Sequence, residues 1–120
     1  MLSSGVDAVE IERIRAVYEQ HGQRFLGRVY TAREVAHCRG RISELAARFA
    51  AKEAISKALG TGMRGVAWRE MEVVSDPRGK PLVELHGRAR ARANELGLRE
   101  FALSLTHSRD LAIAFVVASS

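Results

Sequence analysis

The chain has 120 residues, of which 47% are hydrophobic and 28% charged, with a formal net charge of +5. That length supplies one core rather than two and can bury about two thirds of the unfolded surface without staples. The lone cysteine, Cys38, excludes an internal disulfide, no apolar run approaches the ~18 residues of a membrane span, and the N-terminal residues lack leader character, so a soluble cytoplasmic protein is expected.

The 19 basic residues include only three lysines, Lys52, Lys57 and Lys80. Arginine suits two-pronged contacts to phosphate or carboxylate, and seven arginines, from Arg13 to Arg41, precede the longest helical pattern. An anionic partner is expected beside the plain alternative of a solvated basic surface. Composition leaves nucleic acid, an anionic cofactor and an acidic protein all open.

In chain order, Leu2 to Val6 reads as a short strand, after which Val9, Ile14, Val17 and Tyr18 follow a helical period. Asp7 stands at the junction. With Glu10 three residues on, it fits the N-cap of a capping box, while a carboxylate ending a strand is also a common place for a metal ligand. After a turn at His21-Gly22, Arg24-Phe25-Leu26 leads to Thr31-Ala32-Arg33-Glu34, a second capping box that opens a helix to about Arg39.

From about Arg41 to Leu59 nearly every residue is a good helix former, and Gly60-Thr61-Gly62 follows as a stop. This is the central helix. At about 100° per residue, Ile42, Leu45, Phe49 and Ser56 share a stripe, and Glu53 is read in its middle. Burying a carboxylate costs several kcal/mol unless it is paired or binds a metal. Lys57, four residues on, offers an ion pair; a metal or phosphate site at the helix end is the alternative. The glycines follow the lysine instead of preceding it, which excludes a P-loop.

Met71-Glu72-Val73-Val74 and Leu82-Val83-Glu84-Leu85 flank Asp76-Pro77-Arg78-Gly79 and read as a hairpin. A helix from about Gly87 to Leu96 ends at Gly97, with Arg88, Arg90, Arg92 and Arg99 as a solvated face. A second hairpin joins Phe101–His107 to Leu111–Val117, and His107 ends its first strand as either a structural or a phosphate-binding residue. These elements predict an α+β fold: a single domain over residues 1–120, with an antiparallel sheet packed against the long central helix.

The string Arg48-Phe49-Ala50-Ala51-Lys52-Glu53-Ala54, continued by Lys57-Ala58-Leu59-Gly60-Thr61-Gly62, resembles the holo-acyl-carrier-protein synthase family. Gly5-Val6-Asp7, Arg13, Phe25, Arg28, Thr31-Ala32-Arg33-Glu34 and Ser104-Leu105-Thr106-His107 fit the same family in order, over essentially the whole chain. Members transfer the 4'-phosphopantetheine arm of coenzyme A to a serine of apo acyl carrier protein and require magnesium. The resemblance implies Mg2+ ligation by Asp7 and Glu53, and a catalytic set of Glu53, Lys57 and His107, with Glu53 preferred as general base through a water. It implies coenzyme A contacts from Arg48, Lys57, Gly60, Thr61, Gly62 and His107. It further implies docking of an acidic acyl carrier protein on Arg13, Arg24 and Arg28, and a homotrimer in which Arg48 or His107 serves a neighbour's site.

The competing reading is a small basic nucleic-acid-binding domain. It leaves Asp7 and Glu53 unexplained, and most of the seven aromatics (Phe25, Phe49, Phe101, Phe115, Tyr18, Tyr30 and Trp68) fall at positions that read as core.

Overall fold

A computed structural model describes residues 1–120. The elements run β1 (Leu2–Glu10), α1 (Ile11–His21), α2 (Gln23–Val29), α3 (Ala32–Cys38), α4 (Ile42–Ala58), β2 (Met71–Ser75), β3 (Pro81–Leu85), α5 (Gly87–Leu96), β4 (Glu100–His107) and β5 (Leu111–Ser119). The α+β expectation holds, and both hairpins lie where the turn residues put them. No helix is long and apolar enough to cross a membrane.

The strands form two separate antiparallel sheets. Three strands pair in the order β1-β5-β4, and β2-β3 stands as its own ribbon. The long helix α4 lies across the inner face of the larger sheet. Both surfaces are built from small side chains there: Ala112, Ala114 and Ala118 of β5 and Ala46, Ala50, Ala51 and Ala54 of α4 have no exposed surface. Small residues let helix and sheet backbones approach closely and still pack without voids. At Gly5 of β1 the approach is limiting, because a Cβ there would stand 1.9 Å from the Ala54 carbonyl oxygen.

The first helix begins later than the sequence suggests. β1 continues through Asp7 to Glu10, which takes the N-cap position without any side-chain cap. Asp7 pairs with Ala114 inside the sheet, so its reading as an N-cap, alone or shared with metal, is overturned. Val9 is a buried strand residue, not a helical one. The cause is pairing with β5: four more residues, through Glu10↔Leu111, are held in the ladder before the chain can turn. A further short helix, α2, occupies the stretch read as a lead-in, burying Phe25, Leu26 and Val29. The Thr31–Glu34 capping box forms as expected and opens α3.

α4 is buried almost all round, and its buried residues include Arg48 and Lys52. By the 100° rule, Leu45, Arg48, Phe49, Lys52, Ile55, Ser56 and Leu59 share one stripe centred near Lys52, while Glu53 lies at its edge. Glu53 is accordingly half-buried, not central. Gly60, at φ +74°, ends the helix, and the Thr61 and Gly62 amides both donate to the Ser56 carbonyl.

Candidate active site

β1 and α4 bring Asp7, Glu53 and Lys57 together. Inward residues of β1 alternate as Ser3, Gly5, Asp7 and Val9, so Asp7 faces α4, with only 15% of its side chain exposed. Lys57 reaches back over the strand, its Nζ 3.2 Å from Asp7 Oδ1 and donating to the Val6 carbonyl at 3.0 Å. The helix-surface ion pair between Glu53 and Lys57 is therefore not formed. Its lysine is taken by the strand instead, where one ammonium meets a carboxylate and a carbonyl at once.

Glu53 is left beside Asp7 without a cation of its own. Burial, then the charge and hydrogen bond of Asp7, push its carboxyl up to about 7, against the opposing pull of Arg13 and Lys57. Two carboxylates from different elements crowded in this way form a site short of positive charge. Hard divalent cations favour such oxygen donors. Arg13, read from the resemblance as a docking residue, lies near enough to act electrostatically on Glu53.

Arg48 and His107 meet in a different place. They line a pocket of about 220 Å³ with His37, Ser75, Gly79 and Thr106 among its other walls. Arg48 is 3% exposed; its Nη2 donates to Ser75 Oγ at 3.3 Å and its Nη1 lies 3.6 Å from Glu44. Its Nε donor is buried and has no partner. A buried guanidinium with a donor to spare, beside two histidines and two hydroxyls, is suited to an anion. Burial and the Arg48 charge hold His37 below its usual pKa.

Within one chain, then, the expected metal, catalytic and coenzyme residues fall into two groups. Gly60, Thr61 and Gly62 form the turn after Lys57, at the C-terminus of α4. Arg24 and Arg28 border a groove on α1 and α2 together with Val17, His21 and Phe25.

Sequence reasoning passed over three sets of residues. Lys52 is fully buried and donates to Glu34, Trp68 and Met71; its place at the centre of the apolar stripe was the available signal. Arg92, assigned to a solvated face, is partly buried and caps the Leu59 carbonyl at 3.0 Å. Glu72, Glu84 and His86 place ligand atoms within 4.8 Å of one another, a grouping that could hold a metal ion. Arg33 already sits among them, 2.7 Å from Glu72 and 3.0 Å from Glu84. Burial raises the Glu72 pKa, but hydrogen bonds from Arg33, Thr31 and His86 outweigh it and hold the group at about 2. Direct hydrogen bonds hold Glu72 ionised there, whereas Glu53 makes no ion pair.

Residues 3–116 match the family model described as the 4'-phosphopantetheinyl transferase superfamily. A holo-[acyl-carrier-protein] synthase of Herpetosiphon aurantiacus is 55% identical, with 98% of each chain covered. Among solved structures, the holo-[acyl-carrier-protein] synthase of Neisseria meningitidis superposes with a TM-score of 0.90 at 37% identity, covering 98% of both chains. The Helicobacter pylori enzyme in complex with coenzyme A gives 0.89 at 30% identity, covering 97% of this chain and 99% of that one. With a family model spanning nearly its full length and a relative at that identity, this chain belongs to the 4'-phosphopantetheinyl transferase superfamily.

Proposed function

We propose that the chain is a transferase that moves the 4'-phosphopantetheine arm of coenzyme A onto a serine hydroxyl of an apo acyl carrier protein. The observation that carries this reading is the meeting of Asp7 from β1 with Glu53 and Lys57 from α4. In the reaction the serine Oγ bonds to the β-phosphorus and the bond to the bridging diphosphate oxygen breaks. Adenosine 3',5'-bisphosphate leaves with that oxygen, and the serine proton passes through a water to Glu53.

Asp7 and Glu53 are the residues that would hold Mg2+, and the crowding of their carboxylates fits that role. Bound there, the ion supplies charge neutralisation to the diphosphate and its leaving group. Lys57, half-exposed and anchored by Asp7 and Val6, presents its ammonium to a phosphate oxygen. The Arg48 Nε and His107 hold a second phosphate of the coenzyme, and the Gly60-Thr61-Gly62 turn lets the backbone come close to it. Arg13, Arg24 and Arg28 steer the acidic carrier protein to the α1–α2 surface. A cytoplasmic location goes with the buried thiol of Cys38, which burial pushes up to about 11 and so keeps unreactive.

The homotrimer belongs to the same reading. The outer face of the β1-β5-β4 sheet exposes Leu2, Val6, Ile113 and Phe115, with Val6 opposite Phe115 in register. Phe115, one of seven aromatics of which most read as core, is 47% exposed. In that reading further copies cover this face, and a neighbour's Arg48–His107 pocket serves each carboxylate pair. Mixed trimers of Glu53→Gln and His107→Ala chains are expected to show activity above that of either parent. A Phe115→Glu chain should run as a monomer in light scattering and lose transfer.

Protons compete with the cation for Glu53. With the carboxyl at about 7 in the metal-free protein, the Mg2+ concentration for half-saturation should rise about tenfold between pH 8 and pH 6, read by calorimetry. The test of the function itself is the intact mass of apo carrier protein after incubation with coenzyme A and Mg2+. A gain of one phosphopantetheine, abolished by chelator, supports it; no gain from a folded sample removes it.

A further inference from the structure

The β2–β3 ribbon forms no ladder with the larger sheet, yet its Ser75, Gly79 and Pro81 make one wall of the Arg48–His107 pocket. Met71, Val73 and Leu85 seat it in the hydrophobic core, and polar links from α3 and α4 add to that hold. Inside, Lys52 Nζ donates to Glu34 Oε1 and the Met71 carbonyl, each at 2.8 Å, and to the Trp68 carbonyl at 3.0 Å. Glu34 completes the link: Oε1 also accepts from Thr31 N, and Oε2 accepts from Val73 N at 2.8 Å. Lys52 and Glu34 have no exposed side-chain surface, and each ammonium hydrogen has an acceptor. Outside, Arg33 and Thr31 hold Glu72 of β2, and Arg33 also reaches Glu84 of β3.

The clamp therefore grips the two strands near Met71–Val73 and Glu84, and leaves the ribbon's far end to close the pocket. Lys52 stands one turn after Arg48 on the same stripe of α4. A shift of the ribbon against that stripe changes the gap between Ser75 and the Arg48 guanidinium directly.

We propose that the Lys52–Glu34 ion pair, with Arg33 on Glu72 and Glu84, fixes the ribbon as a pocket wall, making these side chains positioning residues for the coenzyme. The proposal rests on the reading of that pocket as the coenzyme phosphate site. A structural ion pair alone would change stability without changing the coenzyme KM at a temperature where the protein is folded. Positioning predicts a KM-against-kcat split.

The test uses Lys52→Met, Lys52→Met with Glu34→Gln, and the solvent-side Arg33→Ala, with His107→Ala as the reference for the pocket. Each is assayed for Tm, coenzyme KM, kcat and Mg2+ affinity. Expected are a coenzyme KM raised about tenfold in Lys52→Met and about threefold in Arg33→Ala, with kcat and Mg2+ affinity within about twofold of the parent. The Lys52→Met/Glu34→Gln pair removes both charges while keeping an acceptor for Val73 N, and should recover much of the Tm while KM stays raised. KM at the parental value in Arg33→Ala, or KM recovering together with Tm in the double variant, overturns the proposal. Should the Lys52 variants not fold, Arg33→Ala decides alone. Should His107→Ala itself leave KM unchanged, the assignment of the pocket fails first, which separates the two failures.

Discussion

Replacing Glu53 by Gln should lower the turnover number about a thousandfold or more while leaving a folded and more stable protein. The loss is large because, in the proposed reaction, the substitution removes a metal ligand and the base together. The stability gain has a defined sign. The folded protein holds Glu53 near 7, above the ordinary carboxylate value, so folding binds a proton there more tightly than the unfolded chain does. In the metal-free state that group opposes folding increasingly as pH rises from about 4.5 toward 7, and Gln removes the penalty. The difference in Tm between Glu53→Gln and parent should therefore be positive at pH 8, shrink toward pH 4, and shrink again when Mg2+ and coenzyme A are added to the parent. His107→Ala, at the separate pocket, should cost less in turnover.

Gly5→Ala should be the most damaging of the glycine-to-alanine changes in this chain. The new Cβ would lie 1.9 Å from the Ala54 oxygen, 2.8 Å from its carbon and 3.1 Å from Ala58 N. All three are backbone atoms of the buried C-terminal turns of α4, so no side chain can turn aside. Relief requires β1 to lift from α4 by about an ångström, and that strand carries both Asp7 and the Val6 carbonyl that anchor Lys57. Overpacking of this kind costs about 3 kcal/mol or more in stability. Its distinguishing result is functional: the Mg2+ half-saturation point should rise by about two orders of magnitude in the fraction that remains folded. Ser3→Ala is the control. It removes the bond from Ser3 Oγ to the Ala58 carbonyl, a second tie between the same strand and helix, and should cost about 1 kcal/mol with Mg2+ affinity unchanged.

The elements were legible where short-range chemistry decides them. Thr31 and Glu34 form their capping box, Gly60 and Gly97 stop their helices, and Asp76-Pro77-Arg78-Gly79 turns its hairpin. What was hidden depends on partners distant in the chain. Asp7 reads locally as a cap, and only the ladder with β5 draws it into a strand. Lys57 reads locally as the partner of Glu53, and only the strand crossing above it supplies Val6 and Asp7.

Lys52 shows a different gap. Its central place on the α4 stripe can be found by counting, but a lysine is rarely fully buried, and its acceptors come from α3, the turn at Trp68 and β2. The exposure of Phe115 was likewise out of reach, since alternation along β5 says which residues share a face and not which face meets the helix.

The central claim is that Asp7 and Glu53 form the cation site. The most direct measurement is calorimetric titration of Mg2+ into the protein saturated with coenzyme A and without carrier protein, in the parent, Asp7→Asn and Glu72→Gln. One ion per chain in the parent and in Glu72→Gln, with binding lost in Asp7→Asn, is the result expected. Unchanged binding in Asp7→Asn, with loss in Glu72→Gln instead, would place the ion at the Glu72, Glu84 and His86 cluster and contradict the account.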